Sequence, residues 1–246
     1  MIRPLLGLTL LAGCVTPLSN KIDVGNEAFV VVVARGADGN QDLFAAPAEG
    51  GTFRQLTFTR TPEDLPRLSP TGTGLLFVRG PAGAAKPVVM ALLDGTEASA
   101  PLPADAGAIT RDGWLAGGDT VVVATERGLW WSAAAGPLTW VPVPDDRRAA
   151  ADSATRELIG DPVFAEIAAC RGAAGLCVTG PAGETPLGPG AREAFRWGGK
   201  AVGYLIEDRL EVRPLGGGRL RQPTWRDAPA AIRHATYHPG SSRQSP

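Results

Sequence analysis

The chain has 246 residues, enough for one large domain or two small ones, with 44% hydrophobic and only 20% charged residues. Its 32 Gly and 22 Pro lie in a sequence too apolar to be disordered or collagen-like, so a sizeable core is interrupted by frequent turns. The 24 basic and 25 acidic residues leave no basic surface for nucleic acid, and two His exclude a His-rich metal centre.

Residues 1–13 read as a signal peptide. Arg3 supplies a positive start, and 5–11 form an apolar stretch far short of the roughly 20 residues of a transmembrane helix. Small Ala12 and Gly13 follow. The tetrapeptide Leu11-Ala12-Gly13-Cys14 resembles the lipobox of bacterial lipoproteins. That resemblance implies a diacylglyceryl thioether on Cys14, cleavage before it, and acylation of the new amino terminus. Each buried CH₂ contributes about 0.8 kcal/mol, so two or three acyl chains would hold the protein on a membrane. Val15 rather than Asp follows the Cys. By the sorting pattern of enteric bacteria, this implies the outer membrane, facing the periplasm. Residues 14–27 mix polar and apolar side chains around Pro17 and read as a tether. No later segment is long and apolar enough to span a bilayer.

From residue 28 the sequence repeats. Short runs rich in Val and aromatics at 28–34, 75–78, 120–124 and 201–206 are bounded by Gly, Asp or Arg, as strands buried on both faces require. Their centres Val30, Leu76 and Val121 are 46 and 45 residues apart. A further 45 reaches Glu166 in the weaker run 163–170, and Val202 lies 36 beyond. A second run follows each, at 42–47, 87–92, 128–133, 175–179 and 209–214. Then come a Gly-containing turn and a short third run, at 53–57, 100–102, 138–141, 185–187 and 219–222. Gly reaches positive φ in such turns without steric cost. A fourth element precedes the apolar strand: a large apolar residue with Gly four positions on, as in Leu68 and Gly72, Trp114 and Gly118, and Phe195 and Gly199. Tyr237 restarts this pattern. The helix-prone stretch 145–158 interrupts it, and Asp145, Asp146, Arg147 and Arg148 read as a solvated insertion that could serve as a contact surface.

Four strands every 40–45 residues predict an all-β β-propeller over 28–240, followed by a tail at 241–246. Counting gives five four-stranded blades, or six if two have been merged. The segment 232–239 is expected to complete the blade begun by 28–57, closing the ring without an open sheet edge. Asp42-Leu43-Phe44, Glu49-Gly50-Gly51, Arg54-Gln55-Leu56-Thr57, Ser69-Pro70-Thr71-Gly72 and Leu76-Phe77, in that order, resemble the TolB-type, WD40-like repeat. Leu68 stands in place of that repeat's Trp and Thr71 in place of its Asp, and later copies are degenerate. The resemblance implies an envelope propeller acting through protein–protein contacts.

Cys170 and Cys177 flank a Gly-rich turn between two apolar runs. A hairpin brings them opposite one another, and export exposes them to an oxidising compartment, so they are candidates for a disulfide. Two reduced, buried thiols are the alternative. Trp114 and Trp197 fall where the family packs an aromatic between blades. Adjacent Trp130 and Trp131 point to opposite faces of a strand, so one packs between blades and the other is a candidate contact for a protein partner. His234 and His238 read as surface or packing residues rather than metal ligands. Asp38, Asn40, Asp42 and Glu49 occupy calcium-loop positions, but Leu43 holds the place of the loop's Gly, so a hairpin loop is the better reading.

The sequence has no Gly-x-Ser-x-Gly elbow, phosphate-cradling loop or dinucleotide fingerprint. No catalytic residue, cofactor or metal is therefore assigned. The leading expectation is a lipid-anchored, non-enzymatic protein-binding or scaffolding module. The alternative is a carbohydrate- or peptide-binding or -processing enzyme with a site in the central channel. Asp, Glu or Arg clustered at the channel would favour the alternative, and an apolar aromatic patch would favour a protein partner.

Overall fold

A Val-rich run bounded by turn residues can bury both of its faces only between two other sheets, and the structure is built on that arrangement. The computed structural model describes residues 14–15, 18, 21–156, 167–170, 175–180, 183–197, 201–214 and 223–240. The signal segment, the run at 219–222, Gly199, Glu166 and the tail lie outside them. The described residues form five antiparallel sheets with one short helix, an all-β chain.

The first sheet contains Phe29–Arg35, Gln41–Pro47 and Arg54–Gln55, with the C-terminal strand Ala230–His238 paired to Phe29–Arg35. The two ends of the repeat thus meet in one sheet, with Phe29 opposite His238 and Val33 opposite His234. The second sheet runs Glu63–Leu68, Gly74–Arg79, Lys86–Ala91 and Glu97–Ser99 in sequence order. The third runs Ile109–Trp114, Thr120–Thr125, Gly128–Ala133 and Val141–Pro142. The fourth holds Ile167–Ala169, Leu176–Gly180 and Gly183–Gly188, and the fifth Ala191–Trp197, Ala201–Ile206 and Arg209–Pro214. Thr224–Arg226 adds a parallel ladder to Gly50–Thr52.

Alternation along each apolar strand decides which sheets touch. Phe29, Val31 and Val33 face the second sheet, in a core with Leu75, Phe77, Val88 and Met90. Val30, Val32 and Ala34 face the fifth, with Trp197, Ala201, Leu205 and Val212. Leu76 and Val89 turn the other way, onto Val121, Val123 and Trp140 of the third sheet. Val178 and Leu187 of the fourth sheet pack on Val202 and Tyr204 of the fifth. The sheets are therefore stacked in the order third, second, first, fifth, fourth.

The insertion forms a 3₁₀ turn, Asp145–Arg147, and the helix Arg148–Thr155. Ala151 packs on Val122 and Val143 of the third sheet. The close approach requires Gly113, because a Cβ there would stand 1.9 Å from the Ala154 carbonyl oxygen. Asp145, Asp146, Arg147 and Arg148 stay exposed, with Asp145 bonded to Arg148 at 3.3 Å.

Described residues of the predicted tether pack into the domain. Leu18, Ile22 and Val24 are buried in the core between the first and second sheets. Among the described residues no helix is long and apolar enough to cross a membrane.

Candidate functional site

The first strands of four sheets, Ile109–Trp114, Glu63–Leu68, Ala230–His238 and Ala191–Trp197, pack beside one another in that order. Each carries an irregularity at a matching place. The register shifts between Asp64 and Arg67, between Ile109 and Arg111, between Arg192 and Phe195, and opposite Val33 and Arg35 in the C-terminal strand. Leu65, Glu193 and Ala231 there adopt φ of 51°, 50° and 53°, a left-handed conformation that residues other than Gly rarely take. Bulges bend a strand and re-aim its side chains. Here they gather charged residues from segments far apart in sequence.

His234 is the hub. Its Nε2 donates to Asp64 Oδ1 at 2.9 Å, and its Nδ1 pairs with Glu193. Burial opposes the charged ring, but the two carboxylates prevail and raise its pKa to about 9. Burial likewise works against ionised Asp64, yet the His234 hydrogen bond and charge hold it below the ordinary carboxylate range. With both nitrogens committed, His234 is a fixed cation at neutral pH rather than a proton shuttle. Glu193 also accepts from the Ala235 amide at 3.3 Å. Arg192 caps the carbonyls of Glu207 and Ile232 at 3.0 and 3.1 Å, and Arg233 donates to Gln41 at 3.0 Å.

Asp112 completes the cluster on the third sheet's first strand. It is wholly buried, and neither carboxylate oxygen has a hydrogen-bond partner. Arg67 Nε stands 3.5 Å away, a long ion pair. Burial dominates and pushes the Asp112 carboxyl up to about 8, with Arg67 pulling it down only in part. Burial thus favours the protonated form of Asp112, and Arg67 favours the charged one.

A second polar network staples the first sheet to the second. Thr57 donates to buried Glu63, which also accepts from Arg79 Nε at 2.8 Å. Arg79 places a two-pronged contact on Glu97, both prongs 2.7 Å. Burial lifts Glu63 to about 7, against the pull of Thr57 and Arg79.

The sequence reads the hub, His234, as a surface or packing residue and does not single out Asp112 or Glu193. His238 is a packing residue: it is buried, 5.7 Å from the Phe29 ring, and covers Gly72 so closely that a Cβ there would stand 2.6 Å from the imidazole. The signal that marks the cluster is a charged residue two to four positions before each large landmark: Asp64 before Leu68, Asp112 before Trp114, Glu193 before Phe195, Arg233 and His234 before Tyr237.

The residues singled out from the sequence lie elsewhere. Cys14 and Val15 form a short ladder with Thr57–Phe58, Cys14 opposite Phe58. Cys170 and Cys177 are joined in a disulfide, the ladder placing Ala168 opposite Cys177. Among the described residues the one grouping of metal-type donors is Cys170, Cys177 and Glu184, and its sulfurs are spent in that bond. Trp130 and Trp131 pack on different cores. Trp130 joins the one shared with the second sheet, and Trp131 the one under the helix. Trp131 sits opposite Val141, which is 45% exposed, and the Trp130 indole N–H is buried without a partner. Trp114 bridges two sheets by donating to the Arg67 carbonyl at 2.9 Å. Asp38 caps the Asn40 amide in a tight turn while Asp42 accepts from Gln55 and the Thr59 amide, so both carboxylates are engaged within the hairpin. A groove of about 820 Å³ opens between the second and third sheets, lined by Met90, Glu97, Trp114 and Leu138 among others.

No family model matches the sequence, and no curated protein matches it. Among solved structures it is similar to TolB from Acinetobacter baumannii, at 11% identity and a TM-score of 0.37, over 82% of this chain and 54% of that one. It is also similar to a structure assigned as TolB from Agrobacterium tumefaciens, at 14% identity and a TM-score of 0.35, over 87% and 74% of the two chains. The chain thus spans about half the length of the first of these.

Proposed function

We propose that this chain is a non-enzymatic binding module of the bacterial cell envelope, held on the outer membrane's periplasmic face by lipid on Cys14 and built as a five-bladed propeller. The ring reading is supported by the five stacked sheets and by the pairing of Ala230–His238 with Phe29–Arg35. The binding reading is carried by one observation: Val141, 45% exposed, lies across from Trp131 and beside Trp130 at the outer edge of the third sheet. Aromatic residues at a solvent-facing edge are the side chains that most often anchor a protein partner. The non-enzymatic reading is supported by the central groups, which are largely spent on one another and present no free nucleophile beside a base.

Photocrosslinkers at Trp131 and Val141 in cells making the full chain should capture the same envelope protein. That capture should vanish in Trp131→Ala, and a crosslinker at exposed Asp38 should not reproduce it. Turnover of a polysaccharide or peptide panel by the purified chain, together with no recurrent crosslink, would sink the reading. The anchor is tested separately: Cys14→Ser should leave the membrane fraction, and its retention there would refute acylation at Cys14.

A second reading places a carbohydrate- or peptide-processing site in the central channel. It is favoured by fully buried Asp112, whose carboxylate oxygens accept no hydrogen bond and face Arg67 at 3.5 Å. Turnover lost in Asp112→Asn would select it.

A further inference from the structure

Large hydrophobic side chains left in water mark surfaces that something covers. Three are exposed among the described residues: Phe58 at 47%, Leu93 at 53% and Val141 at 45%. Val141 belongs to the edge discussed above. Phe58 lies beside the residue proposed to carry lipid, and Leu93 is next to a residue bonded to the same N-terminal segment.

Cys14 and Phe58 are Cα partners in an antiparallel ladder, which places their Cα atoms about 4.5–5.5 Å apart. Leu93 follows Leu92, whose carbonyl accepts the Leu18 amide at 3.0 Å. Leu18 is four residues from Cys14, a reach of at most about 14 Å. Leu18 itself is fixed, buried in the core between the first and second sheets. Exposed Lys21 and Arg60 lie three residues beyond Leu18 and two beyond Phe58.

We propose that this face docks on the bilayer surface. Phe58 and Leu93 enter the boundary between headgroups and acyl chains beside the lipid of Cys14, with Lys21 and Arg60 over anionic headgroups. The proposal rests on acylation at Cys14. An anchor at the end of a loose tether would let the domain tumble. An anchor on a residue paired in a ladder fixes which face meets the membrane, and apolar and basic side chains there add to the hold.

The test uses the full chain made in cells and reconstituted in phosphatidylethanolamine–phosphatidylglycerol vesicles. The mass of its N-terminal peptide is read first. An environment-sensitive fluorophore is then placed through Phe58→Cys, Leu93→Cys or Val141→Cys, and the lipids carry a quencher near the headgroups. Quenching at 58 and 93 should exceed that at 141 several-fold. Equal quenching at all three sites, with lipid present on Cys14, overturns the docked orientation and leaves the anchor standing. A peptide without lipid overturns both. A second readout guards against damage by the label: a membrane-impermeant maleimide should modify Phe58→Cys several-fold more slowly in vesicles than in the unacylated Cys14→Ser chain, with no such change at Val141→Cys. Equal rates at position 58 would again overturn the orientation.

Discussion

The imidazole of His234 lies 2.9 Å from the Asp64 carboxylate while its other nitrogen meets Glu193, so one side chain ties together the first strands of three sheets. Removing the cation leaves two partly buried carboxylates facing each other. Complete burial would put the loss at about 3–5 kcal/mol. Asp64 is 41% exposed, so water recovers part of it, and His234→Ala is expected to lower unfolding stability by roughly 2 kcal/mol. Asp64→Asn should cost less than His234→Ala, because Glu193 still neutralises the ring. Urea titration measures both. A change below about 0.5 kcal/mol in His234→Ala would mean the contact is ornamental.

The buried acids set the pH dependence. Asp112 ionises near 3.8 when unfolded and about 8 when folded, and Glu63 near 4.5 and about 7. Between those values the folded chain holds protons that the unfolded chain releases, so stability falls as pH rises through both windows. His234 acts in the same direction. Raised from 6.5 to about 9, its contribution is full below 6.5 and is lost as pH climbs through 9. Asp64 opposes them at the acid end, since its depressed carboxyl stabilises above 3.8 and fails as pH drops through its lower folded value. The melting temperature should therefore peak near pH 4, where the Asp64 contribution is complete and the Asp112 loss begins, and decline toward pH 9. Asp112→Asn should flatten the decline between pH 5 and 8. A slope unchanged in that variant would mean Asp112 does not hold its proton.

The strands were legible and the cluster was not, for one physical reason. Runs such as Phe29–Arg35 and Ala201–Ile206 bury both faces, so composition alone marks them, and Gly-bearing turns punctuate their ends. The first strands are short on apolar residues and bulged. In Glu63–Leu68 and Ala191–Trp197 the bulge breaks the two-residue alternation that a sequence pattern relies on. His234 then gains its meaning only from Asp64 and Glu193, which are 170 and 41 residues away. Leu18, Ile22 and Val24, in the stretch expected as a tether, are too widely spaced to read as an element, yet each finds a place in the core.

Docking of the helix is tested at Gly113. A methyl group there would collide with the Ala154 carbonyl at 1.9 Å, and a helix backbone cannot yield locally. Gly113→Ala is expected to push the helix off the third sheet, exposing Ala151 and the Trp131 side of the core, at a cost of about 2–3 kcal/mol. Limited proteolysis should then cut within 145–156, where the parent chain resists. Gly136→Ala is the control. Nothing lies within 4 Å of its added methyl, so only the φ of +80° is strained, at about 1 kcal/mol. Similar cleavage in both variants would show that the helix is not held by close packing.

The adjacent tryptophans separate packing from recognition. Trp130 lies in the core between the second and third sheets with Val123 and Leu138, and its truncation should cost about 3 kcal/mol. Trp131 is half-buried against Leu129 and Val143, across from exposed Val141. Trp131→Ala should cost less, roughly 1–2 kcal/mol, because the core it packs on holds fewer buried side chains. If the outer edge of the third sheet holds a partner, the order reverses for binding. Trp131→Ala should abolish capture of the partner, while Trp130→Ala, assayed well below its lowered melting point, should retain it. Parallel losses of capture and stability in the two variants would reduce both residues to core packing and remove the edge as the contact surface.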